Sequence, residues 1–114
     1  MQMHTEVIGG SITKVSLSGK LDIAGAHAID LRFNVVVGQN RAIVVDLSEV
    51  SFLASMGLRT LIMGAKTVAS KGGRMLLLSP SEDVRKVLDD SGTSTLLPIY
   101  SDLNDAVAAL GGRL

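Results

Sequence analysis

Two short apolar runs, Ala42-Ile43-Val44-Val45-Asp46-Leu47 and Arg74-Met75-Leu76-Leu77-Leu78, constrain this chain more than anything else in it. Both are too apolar to leave in water, and the first is rich in β-branched residues, as a strand covered on both faces requires. Between them, after Gly57, the apolar positions Leu58, Leu61, Ile62, Ala65 and Ala69 recur at helical spacing, and Ser70-Lys71-Gly72-Gly73 closes the segment. Strand, amphipathic helix and strand predict a crossover between parallel strands. Val44, Val45, Leu58, Leu61, Ile62, Leu76 and Leu77 are the expected core.

The remaining elements extend this unit. Glu6-Val7-Ile8 and Ile12-Thr13-Lys14-Val15-Ser16-Leu17 flank Gly9-Gly10-Ser11, a hairpin with a glycine turn. Gly19-Lys20-Leu21-Asp22 leads into a helical stretch from about Gly25 to Val37, with Ile29, Phe33, Val36 and Val37 on one side and Gly38 as its stop. Ser79-Pro80-Ser81-Glu82 reads as a capping box: a capping serine, proline at the first helical position and glutamate three residues after the cap. Val84, Val87 and Leu88 give that helix its apolar face, and Gly92 ends it. Leu96-Leu97-Pro98-Ile99 reads as an edge strand, because proline donates no ladder hydrogen bond. Ser101 is the expected cap of a last helix carrying Leu103, Ala106, Val107 and Leu110 before Gly111. The expected fold is α/β, one domain over residues 1–114. Its sheet is mixed and mainly parallel, with about five strands, an N-terminal hairpin and about four helices.

Composition excludes several functions. Apolar residues make up 46% of the chain and the 11 basic residues balance the 11 acidic ones, which fits neither disorder nor a basic nucleic-acid binder. Phe33, Phe52 and Tyr100 are the only aromatic residues and offer no platform for stacking bases. The absence of cysteine rules out disulfides and thiolate metal sites, and His4 and His27 alone make a poor metal set. No apolar run approaches the roughly 20 residues of a membrane helix, and no basic segment precedes an apolar one at the N-terminus. A cytoplasmic protein without direct membrane insertion, cofactor or metal is expected.

The chemistry concentrates at Phe52-Leu53-Ala54-Ser55-Met56-Gly57-Leu58-Arg59-Thr60-Leu61. Here a single serine stands where a buried strand hands over to a helix. Ser55 falls at or next to the helix N-cap, where a hydroxyl can bond orphan N–H groups and the dipole favours negative charge. A phosphate on that serine would meet the same donors. Ser55 as a plain N-cap would contribute roughly 0.5–2 kcal/mol to the helix. Met56, Arg59, Met63 and Lys66 repeat on the stripe opposite the buried face; exposed methionines beside basic groups suit a partner-binding surface, since Met adapts to irregular apolar contacts. Gly-x-Ser-x-Gly is absent and neither histidine lies near Ser55, so no nucleophilic enzyme and no catalytic residue is expected. Gly72-Gly73-Arg74 precedes a strand and reads as a turn rather than a phosphate loop. Asp46 at a strand end and Glu49 in a loop are expected to be solvated.

Over almost its whole length the chain resembles a STAS domain, and in particular the bacterial anti-sigma factor antagonists. The resemblance rests on Gly19-Lys20-Leu21-Asp22, on Val45-Asp46-Leu47-Ser48-Glu49-Val50-Ser51-Phe52, on Gly57-Leu58 and on Gly72-Gly73-Arg74. It continues through Val87-Leu88, Ser91-Gly92 and the acidic, alanine-rich last helix. It implies that Ser55 takes the place of a serine phosphorylated by a partner kinase that is itself the anti-sigma factor, and that a phosphatase reverses the mark. Gly57 matches the family glycine, and Asp22 the acidic residue near the phosphosite. The family turn reads Asp-Ser-Ser-Gly or Asp-Ser-Thr-Gly; here Ala54 replaces the aspartate and Met56 the second hydroxyl residue. Those departures keep open a second role, a STAS adaptor in a signalling scaffold or lipid transporter that uses no phosphoserine. Asp22 also has a plain role as the residue that ends a strand and starts a helix.

Overall fold

A computed structural model describes residues 1–114. The elements run β1 (Gln2–Ile8), β2 (Ile12–Leu21), α1 (Ile23–Gln39), β3 (Ala42–Leu53), α2 (Ser55–Ser70), β4 (Arg74–Leu78), α3 (Glu82–Asp90), β5 (Ile99–Tyr100) and α4 (Leu103–Ala109). One five-stranded sheet takes them in the order β1-β2-β3-β4-β5, with β1 antiparallel to β2 and every later pairing parallel. This is the α/β arrangement expected from the sequence. At the hairpin, Gly9 and Gly10 both adopt positive φ, 56° and 97°, which lets Ile8 pair with Ile12 across a tight turn.

The alternation of side chains along the strands sorts the core into two unequal layers. Val15, Leu17, Ile43, Val45, Leu47, Met75 and Leu77 face α1, α2 and α3, where they meet Ile29, Phe33, Val37, Leu61, Ala65, Val68, Val84 and Leu88. On the other face Ile12, Val44, Leu76 and Leu78 meet Ala106 and Val107 of α4. Val44, Val45, Leu61, Leu76 and Leu77 are wholly buried, whereas Leu58 and Ile62 lie at the margin of the larger layer. Because α4 is short, part of its face of the sheet remains open. There Lys14 lies 3.8 Å from Glu6 and 3.5 Å from Asp46, an ion-pair row on the solvent side.

Several boundaries differ from the sequence reading, each for a local reason. β3 continues through Ser48-Glu49-Val50-Ser51-Phe52 to Leu53, so Asp46 is mid-strand, half-buried and paired to Lys14, while Glu49 is exposed but in the strand rather than a loop. α1 begins at Ile23 and runs past Gly38. Asn40 Nδ2 donates to Val36 O at 2.8 Å, and Lys71 Nζ donates to the carbonyls of Val37 and Asn40, so the last helical carbonyls find partners beyond the glycine. The cap of α3 is Ser81, whose Oγ accepts from Val84 N at 3.3 Å. Ser79 is held back because its N–H donates to Tyr100 O at 2.8 Å, which prolongs the β4–β5 ladder. β5 starts only after Pro98, whose carbonyl accepts from Leu77 N. α4 is capped by Asp102, with Asn104 N at 2.7 Å and Asp105 N at 3.3 Å, and Ser101 precedes the cap.

Candidate functional site

β2 and β3 are parallel neighbours, so both hand their chains to helices at the same end of the sheet. Their last register pair is Leu21 with Leu53. Immediately beyond it Asp22 caps α1, its Oδ1 accepting from Gly25 N at 2.8 Å, and Ala54 occupies the corresponding position before α2. Ala54 N donates to Leu21 O at 3.0 Å and ties the two turns together. The carboxyl ends of parallel strands are where α/β folds gather their functional groups.

Two irregularities aim this corner. From Ser16 to Ser18 on β2 the partner strand advances from Asp46 to Glu49, and from Gly19 to Lys20 it advances from Val50 to Phe52. β3 thus holds an extra residue at each place, and such bulges bend a strand and re-aim the side chains near its end. Gly57 then lets α2 approach β2: a Cβ on it would lie 2.2 Å from Leu21 O and 2.6 Å from Leu21 Cγ. Only glycine permits that approach.

Ser55 is the first residue of α2 and is exposed. It is not the N-cap. That position belongs to Ala54, in extended geometry, and α2 begins with no side-chain cap at all. Asp22 and Ala54 line one shallow cleft together with Ile23, Ala24 and His27. Asp22 therefore caps α1, as its plain reading required, and shares this cleft with Ala54, the residue before Ser55. Met56, Arg59, Met63 and Lys66 are all exposed, Met56 at 44% and Met63 at 51%. Met56, Arg59 and Met63 share a second cleft with Thr60 of α2 and with Asp30 and Asn34 of α1. Arg59 makes no ion pair; the chain's pairs involve Lys14 and Arg85 only.

Further residues border this corner that the sequence did not single out. Ile23 is 70% exposed, and Phe52 at 51% stands beside Asp83 and Val87 of α3. Ile23 is a large apolar residue directly after a capping aspartate, and that adjacency was the available signal. Phe52 gave none: the bulges, which the sequence does not announce, turn it outward. His4 and His27 lie apart, on β1 and α1, and His27, contrary to the sequence reading, comes close to the start of α2, where it lines the cleft with Asp22 and Ala54.

The model of the STAS domain family matches residues 2–106, and the chain belongs to that family. The anti-sigma F factor antagonist of Paenibacillus polymyxa is 29% identical over 98 residues, 84% of each chain. The crystal structure of an anti-sigma factor antagonist from Mycobacterium paratuberculosis superposes with a TM-score of 0.86 at 28% identity, over 96% of this chain and 93% of that one. The anti-sigma factor antagonist SpoIIAA in its unphosphorylated form, 22% identical, shares the fold with a TM-score of 0.78 over 96% and 97% of the two chains. No helix here is long and apolar enough to cross a membrane.

Proposed function

We propose that this chain is an anti-sigma factor antagonist, acting as one domain over residues 1–114 in the cytoplasm and switched by phosphorylation of Ser55. Unphosphorylated, it binds an anti-sigma factor that is also a serine kinase and thereby frees a sigma factor for transcription. The kinase moves the γ-phosphoryl group of ATP onto Ser55 Oγ; ADP leaves, the hydroxyl loses its proton, and a phosphatase later restores the serine. The observation that carries the reading is the exposed start of α2, which has no side-chain cap and presents Ser55 directly after Ala54, the residue that shares a cleft with Asp22. Relatives matching over most of the chain bear the antagonist name. Met56, Arg59, Met63 and Lys66 supply the contact face, with Ser55 at its edge. About −1.5 to −2 charges added there disrupt docking directly, without a change of shape.

The test is calorimetry against the cognate anti-sigma factor. Ser55→Ala should bind as tightly as the parent protein and resist modification. Ser55→Asp should bind at least about tenfold more weakly, since a like charge set against a complementary interface costs more than about 1.4 kcal/mol. Equal binding by all three proteins refutes the charge switch. It leaves the adaptor role, which the replacements at Ala54 and Met56 favour.

A further inference from the structure

Arg59 stands four residues after Ser55 on α2, and side chains at i and i+4 lie on one helix face about 5–6 Å apart at Cβ. The arginine is exposed and forms no ion pair. The acidic group that shares its cleft is Asp30, which lines it from α1 and accepts from Asn34 Nδ2 at 3.3 Å. A guanidinium presents paired donors that match two phosphate oxygens. We infer that Arg59 is the internal counter-ion of phosphorylated Ser55: when the serine is modified, Arg59 turns along the helix face onto the phosphate.

This inference rests on the reading of Ser55 as the phospho-acceptor and adds a second half to the switch. Modification sets an anion at the edge of the docking face and, in the same step, withdraws the one cation standing between Met56 and Met63. Three other titratable groups line the two clefts on either side of this helix start. Asp22 and His27 line the cleft beside Ala54, and Asp30 faces Arg59. Asp22 and Asp30 repel the phosphate, and the His27 imidazole is the rival partner. Arg59 has the advantage of a fixed position on the same helix and a permanent charge.

The test needs neither kinase nor anti-sigma factor. Phosphoserine is incorporated at position 55 during translation, and the second ionisation of its phosphate, ordinarily near pH 6, is tracked by phosphorus NMR. In the parent sequence it should titrate about 0.3–0.6 pH unit below its position in Arg59→Gln. Arg59→Lys should recover part of that difference, and about 1 M salt should shrink it, as expected for an exposed pair. Identical titrations in the parent sequence and Arg59→Gln overturn the inference. So does a change caused by His27→Gln and not by Arg59→Gln. Arg59 is exposed and unbonded, so its replacement leaves the fold intact. Absence of kinase modification in a separate assay would condemn the phospho-switch itself, and the titration would still report on the pair.

Discussion

Replacing Gly57 by alanine probes the contact that builds the site. The new Cβ would sit 2.2 Å from Leu21 O, whereas ordinary contact begins at 3.4 Å, so the start of α2 must retreat from β2 by about an ångström. That retreat stretches the Ala54 N to Leu21 O hydrogen bond, worth about 0.5–1.5 kcal/mol. It also disturbs close packing against Leu21, at a further cost of about 1–3 kcal/mol. Against this, alanine is favoured over glycine in a helix by about 1 kcal/mol. The balance predicts a net loss of about 1–3 kcal/mol, read from urea unfolding as a lower midpoint with an unchanged slope. Gly38→Ala is the internal control. Gly38 lies inside α1 with nothing within 4 Å of an added Cβ, so the same exchange should stabilise by up to about 1 kcal/mol. A Gly57→Ala protein as stable as the parent, with an unchanged slope, would refute the close-approach argument.

The same geometry sets three further outcomes. Ser81→Ala and Asp102→Ala each remove an N-cap hydrogen bond and should lower stability by roughly 0.5–2 kcal/mol, whereas Ser101→Ala should change it by less than about 0.5 kcal/mol in the same urea series. Ala54→Asp supplies the missing cap of α2 and should raise stability by about 0.5–1.5 kcal/mol, partly offset by Asp22 across the cleft; no gain would mean that the first-turn N–H groups are already satisfied. With the cognate kinase and ATP, Ala54→Asp should take up phosphate at Ser55 somewhat faster than the parent protein, and failure of both to react while a control substrate does would make Ser55 a bystander.

The central βαβ unit was legible because its signals are redundant. β-branched runs, helical spacing and glycine punctuation all specify the same elements, and together they account for the wholly buried Val44, Val45, Leu76 and Leu77. The element ends were less legible, because each is decided by a partner distant in sequence. Ser79 looks like a cap until Tyr100 O claims its N–H, and Gly38 looks like a stop until Lys71 reaches the carbonyls of α1. Ser55, Asp22 and Gly57 are all found in sequence, yet the joining of their two turns through Ala54 and Leu21 depends on two strand ends falling in register. The length of β3 is read short for a related reason: Ser48, Glu49 and Ser51, all exposed, interrupt the apolar run before Leu53.

Ala54 and Met56 depart from the family turn at positions with different physical meaning. Ala54 is the N-cap, where a carboxylate would bond the first-turn N–H groups of α2. Its absence leaves those donors without a side-chain acceptor, next to a serine one residue further on. Met56 is exposed and lines the cleft with Asp30 and Asn34, where it sets a flexible apolar thioether in place of a hydroxyl. One change therefore withdraws a fixed negative charge from beside Ser55, and the other adds exposed apolar surface to the start of α2. A phosphate on Ser55 would then meet less repulsion from its own turn than in a chain that keeps the aspartate. If Ser55 is the phospho-acceptor, the same missing carboxylate would slow formation of the phosphoserine, by leaving its hydroxyl unoriented, and would favour the phosphoserine once made, by removing a like charge.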